Sequence, residues 1–124
     1  MQIKWNQELF GVEIKDDANH FVISAQPSMV MDWHDAVRFY KDNKVWQLPT
    51  CRQLQLLAKY IDEVNALIKA KEDYILRGWH WTADDYGEYG EYDEFYAWSV
   101  NLNDGYSLSD SKSDGNYVRA VSNL

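Results

Sequence analysis

Residues 95–110 read FYAWSVNLNDGYSLSD, and this stretch decides the fold class. Between residues 95 and 103 the side chains alternate in character, which is typical of a β-strand whose two faces differ. We expect one face to carry Tyr96, Trp98, Val100 and Leu102, and the other Ala97, Ser99, Asn101 and Asn103. Asp104-Gly105 is a turn signal, and residues 106–110 would return as the next strand. The stretch therefore predicts an antiparallel hairpin.

Further β-strands are predicted on either side of this hairpin. WHWTA (79–83) also alternates, KSDG (112–115) predicts another turn, and NYVRAVS (116–122) predicts a last strand. Together these segments predict a C-terminal antiparallel meander of three or four strands. Near the N-terminus, LFGVEIK (9–15) and HFVISA (20–25) are β-prone runs, and the DDAN between them predicts a hairpin turn.

Helical signals lie between the two β regions. In residues 31–44, Asp32 is a candidate N-cap, and in residues 49–61, Thr50 and Gln53 match a capping box. Asp62 could cap a third helix, so 50–70 is one helix or two. The predicted inner faces are Trp33, Ala36, Val37 and Tyr40, then Leu54, Leu57, Ala58 and Ile61, then Val64, Leu67 and Ile68. Strands grouped apart from helices predict an α+β fold, in a single domain over 1–124.

The charge of the chain argues against two classes of partner. The 124 residues carry a net charge of −8, with a pI near 4.7. Such a field repels phosphate backbones and anionic membranes, so we expect no nucleic-acid partner. No apolar run approaches the ~20 residues of a membrane span. MQIKWNQELF has no signal-peptide pattern, so the chain as given is expected to be cytoplasmic.

The residues that usually carry catalysis or bind metals are sparse. Cys51 is the one cysteine, and His20, His34 and His80 are scattered without metal-ligand spacing. The acidic stretch DDYGEYGEYDEFY (84–96) lacks the spacing of an EF-hand. Nucleophile motifs and phosphate loops are absent from the sequence. We therefore expect no enzymatic activity, no cofactor and no metal.

Four motifs, in order, resemble a known family. VWQLPTCRQLQLL (45–57), GWHWTADD (78–85), YAWSVNLNDG (96–105) and NYVRAVS (116–122) are similar to the W-R-L-P-T, Y-W-S-S-T, Y-A-W and Y-V-R-x-V motifs of a bacterial domain family of unknown function, the Lcl C-terminal-like family. Gln47 stands where that family usually has arginine, and WHWTADD replaces its small Ser-Ser-Thr. The resemblance implies a C-type lectin-like fold. The tripeptides that calcium-dependent lectins use are missing, which argues against calcium.

The resemblance implies a ligand-recognition or adhesion module whose target is a protein or a glycan. It is compatible with a phage or prophage protein on a virion or cell surface. The alternatives are a structural or assembly domain that packs on a partner subunit, and a degenerate relative of formylglycine-generating enzymes. Tyrosines and short polar residues would bind the ligand, as in antibody loops. The candidate ligand-binding residues are Tyr86, Tyr89, Tyr92, Ser99, Asn101, Asn103, Tyr106, Asp110 and Asn116. Arg119, on an apolar strand, is expected to make a buried ion pair or bonds to carbonyls.

Overall fold

The computed structural model describes residues 1–85, 87 and 93–124. Their strands are β1 (Gln2–Asn6), β2 (Gly11–Lys15), β3 (His20–Ser24), β4 (Met29–Met31), β5 (Trp79–Asp85), β6 (Tyr96–Asn101), β7 (Ser107–Ser111), β8 (Asn116–Val118) and β9 (Val121–Asn123). Their helices are α1 (Trp33–Tyr40), α2 (Cys51–Lys59) and α3 (Ile61–Lys71). Strands and helices are thus largely segregated along the chain, which confirms the α+β class.

The strands form two sheets. The first has the order β1-β2-β3-β9 and is antiparallel throughout. The second has the order β4-β8-β5-β6-β7, in which only the β5–β8 pair is parallel. The N-terminal hairpin is confirmed as β2 and β3, and Asp16 holds its turn by accepting bonds from the backbone N–H of Ala18 and Asn19.

The C-terminal meander is confirmed for β5, β6 and β7, but the single last strand predicted over 116–122 is wrong. That segment divides into β8, which enters the second sheet between β4 and β5, and β9, which pairs with β3 in the first sheet. Arg119 and Ala120 lie between the two halves. Residues 116–123 therefore connect the two sheets, and this placement brings β8 beside Trp79.

The helices follow the predicted stripes, with one correction and one open alternative decided. Asp32 caps α1, and Thr50 and Gln53 make the reciprocal capping box of α2. Residues 50–70 form two helices, because Tyr60 leaves the helical conformation with a φ of −116°. The prediction that Asp62 caps α3 is wrong, since Tyr60 occupies the cap position and makes no side-chain cap bond. Asp62 lies in the first turn instead.

Two clusters of buried side chains hold these elements together. The larger cluster packs the first sheet against α2 and α3 and includes Val100 and Leu102. The smaller cluster packs α1 on the second sheet through Trp33, Trp81 and Ala97. Because Ala97 and Val100 are an odd number of residues apart on β6, they point to opposite faces of the strand. β6 is therefore covered on both faces, unlike a strand with one solvated side.

No helix of the described residues has the length and apolar character needed to cross a membrane.

Candidate functional site

A groove on the second sheet gathers part of the predicted site. It has a volume of about 440 Å³ and is lined by Trp79, Leu108, Asp110, Asp114, Gly115 and Asn116. We call these six residues the Trp79 groove. They come from β5, β7 and β8 and from the turn before β8, so the groove depends on the insertion of β8 beside β5. Asp110 and Asn116 were candidates from the sequence, whereas Trp79 was not.

Hydrogen bonds from two neighbours orient the Asp110 carboxylate. Its Oδ2 accepts from the Ser99 hydroxyl at 2.7 Å and from the Asn116 amide at 3.1 Å. No described residue donates to its other oxygen, Oδ1, or to the Asn116 carbonyl oxygen. A carboxylate and an amide are thus held in place, and each has an oxygen left to accept a hydrogen bond.

Trp79 provides the aromatic side of the groove. It is half-buried at the start of β5 and also lines an adjoining, more apolar depression of about 390 Å³ with Val30, Gly78 and Tyr117. No described residue accepts a hydrogen bond from its indole N–H. By contrast, the indoles of Trp33 and Trp81 donate to the carbonyl oxygens of Thr82 and Met31. Trp79 therefore offers an apolar ring and a polar N–H to the surface.

Ser99 does not point outward as predicted. It is fully buried, because β6 is covered on both faces, and it acts on the groove only by positioning Asp110. Tyr96, predicted on the inner face, is 45 % exposed. The predicted alternation along β6 is correct. Alternation alone, however, does not indicate that the face with the smaller side chains, Ala97 and Ser99, is also covered.

The other candidates within the described residues lie outside the groove. Asn101 accepts a bond from the backbone N–H of Asn103, and Asn103 accepts one from that of Gly78, so both amides hold the turn after β6. Tyr106 is 70 % exposed beside that turn and is not among the groove residues. Tyr86, Tyr89 and Tyr92 lie outside the described residues.

Three described carboxylates of the acidic stretch 84–96 accept structural hydrogen bonds. Asp84 accepts from the backbone N–H of Cys51 at the start of α2. Asp85 accepts from the backbone N–H of Gly87 and Asp93, and Asp93 from those of Phe95 and Tyr96. Burial raises the pKa of Asp85, but these backbone bonds and nearby Lys112 outweigh it, so the pKa is lowered overall. These three carboxylates thus hold the backbone at the end of β5 and just before β6.

Arg119 makes the carbonyl bonds expected from the sequence. The residue is only 3 % exposed. Its Nη1 donates to the carbonyl oxygen of Ser24, its Nη2 to that of Tyr74, and its Nε to the hydroxyl of Ser28. Burial lowers the pKa of Arg119 to about 10, so the guanidinium remains charged at neutral pH.

The bonds around Ser28 fix the tautomer of His80. Arg119 Nε can only donate, so the Ser28 oxygen accepts a hydrogen bond from it. The Gly78 carbonyl oxygen can only accept, so the single ring proton of neutral His80 lies on Nδ1. His80 Nε2, 3.0 Å from the Ser28 oxygen, is then the acceptor of the Ser28 hydroxyl. A serine and a histidine at this distance have the spacing of a nucleophile and its base. Burial lowers the pKa of His80 to about 4, however, far below the value that suits a general base at pH 7.

Metal ligands do not cluster in the described part of the chain. Over residues 1–85, 87 and 93–124, no three His, Cys, Asp or Glu side chains come together as a metal site would require. Glu88 and Glu91 lie outside these ranges, so the expectation of no metal stays a prediction.

No protein-family model matches the chain, and no curated protein sequence matches it either. The similarity of its four motifs to the Lcl C-terminal-like family therefore stays a prediction.

Proposed function

We propose that this chain is a non-catalytic recognition or adhesion module that binds a neutral glycan in the Trp79 groove. The observation that carries the proposal is the half-buried Trp79 facing the same groove as the oriented Asp110–Asn116 pair. Sites for small ligands combine apolar or aromatic surface with a few polar groups that fix orientation. The groove has both features.

The chemistry of a sugar matches these groups. One face of a pyranose ring carries C–H groups and packs on an aromatic ring, whose amphipathic edge tolerates water. The sugar hydroxyls need acceptors and donors of fixed position, which Asp110 Oδ1, the Asn116 carbonyl oxygen and the Trp79 N–H can supply. The bonds from Ser99 and Asn116 orient the carboxylate before the ligand arrives, which lowers the entropic cost of binding.

The charge of the groove favours a neutral sugar. Asp110 and Asp114 are its ionisable lining residues, and the whole chain carries −8. A sulfated or uronic glycan would be repelled both locally and by the overall field. We therefore expect neutral hexoses or N-acetylhexosamines to bind better than acidic sugars.

For the fold, we propose the C-type lectin-like type, and for the chain a place in phage or surface proteins. Support comes from the element order, with an N-terminal hairpin, three helices in the described residues and a C-terminal meander. The motif resemblance points the same way.

A glycan array tests this function. Trp79→Ala should reduce binding of the wild type's best neutral glycan at least about tenfold, because the loss of a central aromatic contact commonly costs about 2 kcal/mol. Asp110→Asn should weaken binding too, since it replaces an anionic acceptor. The matched control is Trp46→Ala, which removes a half-buried tryptophan outside the groove. Wild-type binding that survives Trp79→Ala would contradict the proposal.

A protein partner is the second candidate, in line with an assembly role. Val30 is 65 % exposed and Leu108 48 % exposed, and these apolar side chains lie on either side of Trp79. Exposed apolar groups beside an aromatic are common at protein interfaces. Light scattering separates the two functions: a stable oligomer that Leu108→Ser dissociates, with no glycan binding, would favour assembly.

A further inference from the structure

A further depression is lined by Tyr117, which also lines the apolar depression adjoining the Trp79 groove. It has a volume of about 310 Å³, near the lower end of the sizes that hold small ligands. Its polar lining side chains are Ser28, Asp73, Tyr74, Arg77, Tyr117 and Arg119, and we call it the Arg119 pocket. It shares no lining residue with the Trp79 groove.

The wall of this pocket contains a buried cation without an opposite charge. Arg119 bonds only neutral oxygens, those of Ser24, Ser28 and Tyr74, and no described carboxylate lies within ion-pair distance of it. Taking a guanidinium out of water is costly unless a negative group compensates it. The position therefore favours an anion supplied from outside the chain.

The guanidinium also has hydrogen-bonding capacity left. Of its five N–H groups, three are used, one each on Nε, Nη1 and Nη2. One N–H on each terminal nitrogen is without an acceptor among the described residues. Two donors on one planar group match the two oxygens of a carboxylate.

The other lining residues define the ligand further. Arg77 is exposed and adds a second positive charge, whereas Asp73 subtracts one, so these two side chains and Arg119 sum to +1 in a chain of −8. A single negative charge suits this balance better than the two charges of phosphate. Tyr74, Tyr117, Pro27 and Ile75 supply rings and apolar surface. We propose that the Arg119 pocket binds the single carboxylate of a small molecule or peptide terminus that carries an apolar group.

NMR titration of the full chain tests this proposal. The probes are benzoate, its neutral isostere benzamide, inorganic phosphate, and a Gly-Gly-Phe peptide with a free or an amidated C-terminus. We expect benzoate or the free peptide to shift the Nε signal of Arg119 and the amide signals of Tyr74 and Tyr117. Benzamide, the amidated peptide and phosphate should bind at least about tenfold more weakly, because each lacks the matching carboxylate. Whichever carboxylate binds more tightly identifies the source of the ligand.

Matched arginine variants place the site. Arg77→Ala should weaken carboxylate binding about tenfold, whereas Arg52→Ala, which removes an exposed arginine from α2, should leave it unchanged. The proposal is overturned if no carboxylate binds, if phosphate or the matching neutral amide binds as tightly as the carboxylate that does bind, or if both arginine variants behave alike. Because the two sites share no lining residue, Trp79→Ala should not alter benzoate binding, and failure at one site is separable from failure at the other.

Discussion

At the scale of single residues, Lys112 connects the acidic stretch to the core. It is 2 % exposed, its ammonium donates to the backbone oxygen of Asp93, and it lies 3.5 Å from the Asp85 carboxylate. The same ammonium lies 4.2 Å from the ring centre of Trp33, within range of a cation–π interaction. One lysine thus joins α1 to both described ends of the 85–93 connection.

Lys112→Met should lower the free energy of unfolding by about 2–3 kcal/mol, because it leaves the largely buried Asp85 carboxylate without its cation. Urea denaturation measures the change. Lys44→Met, at an exposed position, is the matched control and should stay within about 0.5 kcal/mol of wild type. Equal effects of the two substitutions would show that the buried lysine is not a structural cation.

His80 makes stability depend on pH. Its pKa is about 4 in the folded chain, against an ordinary value of 6.5, so the unfolded state binds more protons between these values. Stability from His80 is therefore complete above pH 6.5 and is lost as the pH falls towards 4, by about 3 kcal/mol in total. Nearby Arg119 acts in the same direction, since its charge also lowers the pKa of His80.

Urea denaturation between pH 7.5 and 4 measures this loss. His80→Gln should remove most of the pH dependence of the free energy of unfolding between pH 6.5 and 4.5, even if it also changes the stability at pH 7.5. The control His34→Gln, at an exposed position, should keep that pH dependence. Glu13, Asp16 and Asp85 have lowered pKa values and destabilise the fold at still lower pH. If wild type and His80→Gln lose stability in parallel, His80 is not buried in its neutral form.

At the scale of secondary-structure elements, α2 begins with bonds that are local in sequence. Thr50 Oγ accepts from the Gln53 N–H at 3.1 Å, and the Gln53 side chain accepts from the Thr50 N–H at 2.9 Å. Thr50→Ala should cost about 1 kcal/mol in urea denaturation, because it leaves a helix N–H without its acceptor. Thr50→Ser keeps that oxygen and should restore nearly all of the stability. A serine variant as unstable as the alanine variant would contradict the capping role.

Close approach of β2 and β3 requires glycine at position 11. A Cβ there would overlap the carbonyl oxygen of Ile23 and lie 2.7 Å from Val22 Cγ1. Gly11→Ala should destabilise the chain by about 2–3 kcal/mol, since the backbone of a paired strand has to shift. Gly115→Ala, whose Cβ would lie 3.3 Å from Val30 Cγ1, should change the free energy by under about 1 kcal/mol. Thermal unfolding of the two variants compares them.

Elements governed by local signals were predictable, and those governed by distant pairing were not. The capping box, the turn at Asp16 and the stripe of α1 depend on residues a few positions apart, and all three are confirmed. The short strands β1 and β4 were missed. The division of 116–122 into β8 and β9 was missed because alternation does not indicate which sheet a strand joins.

At the scale of the whole molecule, the difference between local signals and distant strand pairing also decides which residues of the candidate site could be predicted. Asp110 and Asn116 could be predicted as polar residues on exposed strands, but Trp79 could not be assigned to a site. Its partly exposed ring lines a groove only because β8, thirty-seven residues later in the chain, lies beside β5. Ser99 was misplaced for the same reason, since its burial depends on packing across both faces of the second sheet.

The measurement that tests glycan recognition most directly is an NMR titration of the indole N–H signals of the six tryptophans. The titrants are methyl α-mannoside, N-acetylglucosamine and lactose, at up to about 50 mM, which nearly saturates a site whose Kd is about 1 mM. We expect at least one sugar to shift the Trp79 signal saturably, while those of Trp33 and Trp81, which bond to backbone carbonyls, stay in place. A sugar that binds without moving the Trp79 signal, or no saturable shift with any of the three, would contradict glycan recognition in the Trp79 groove.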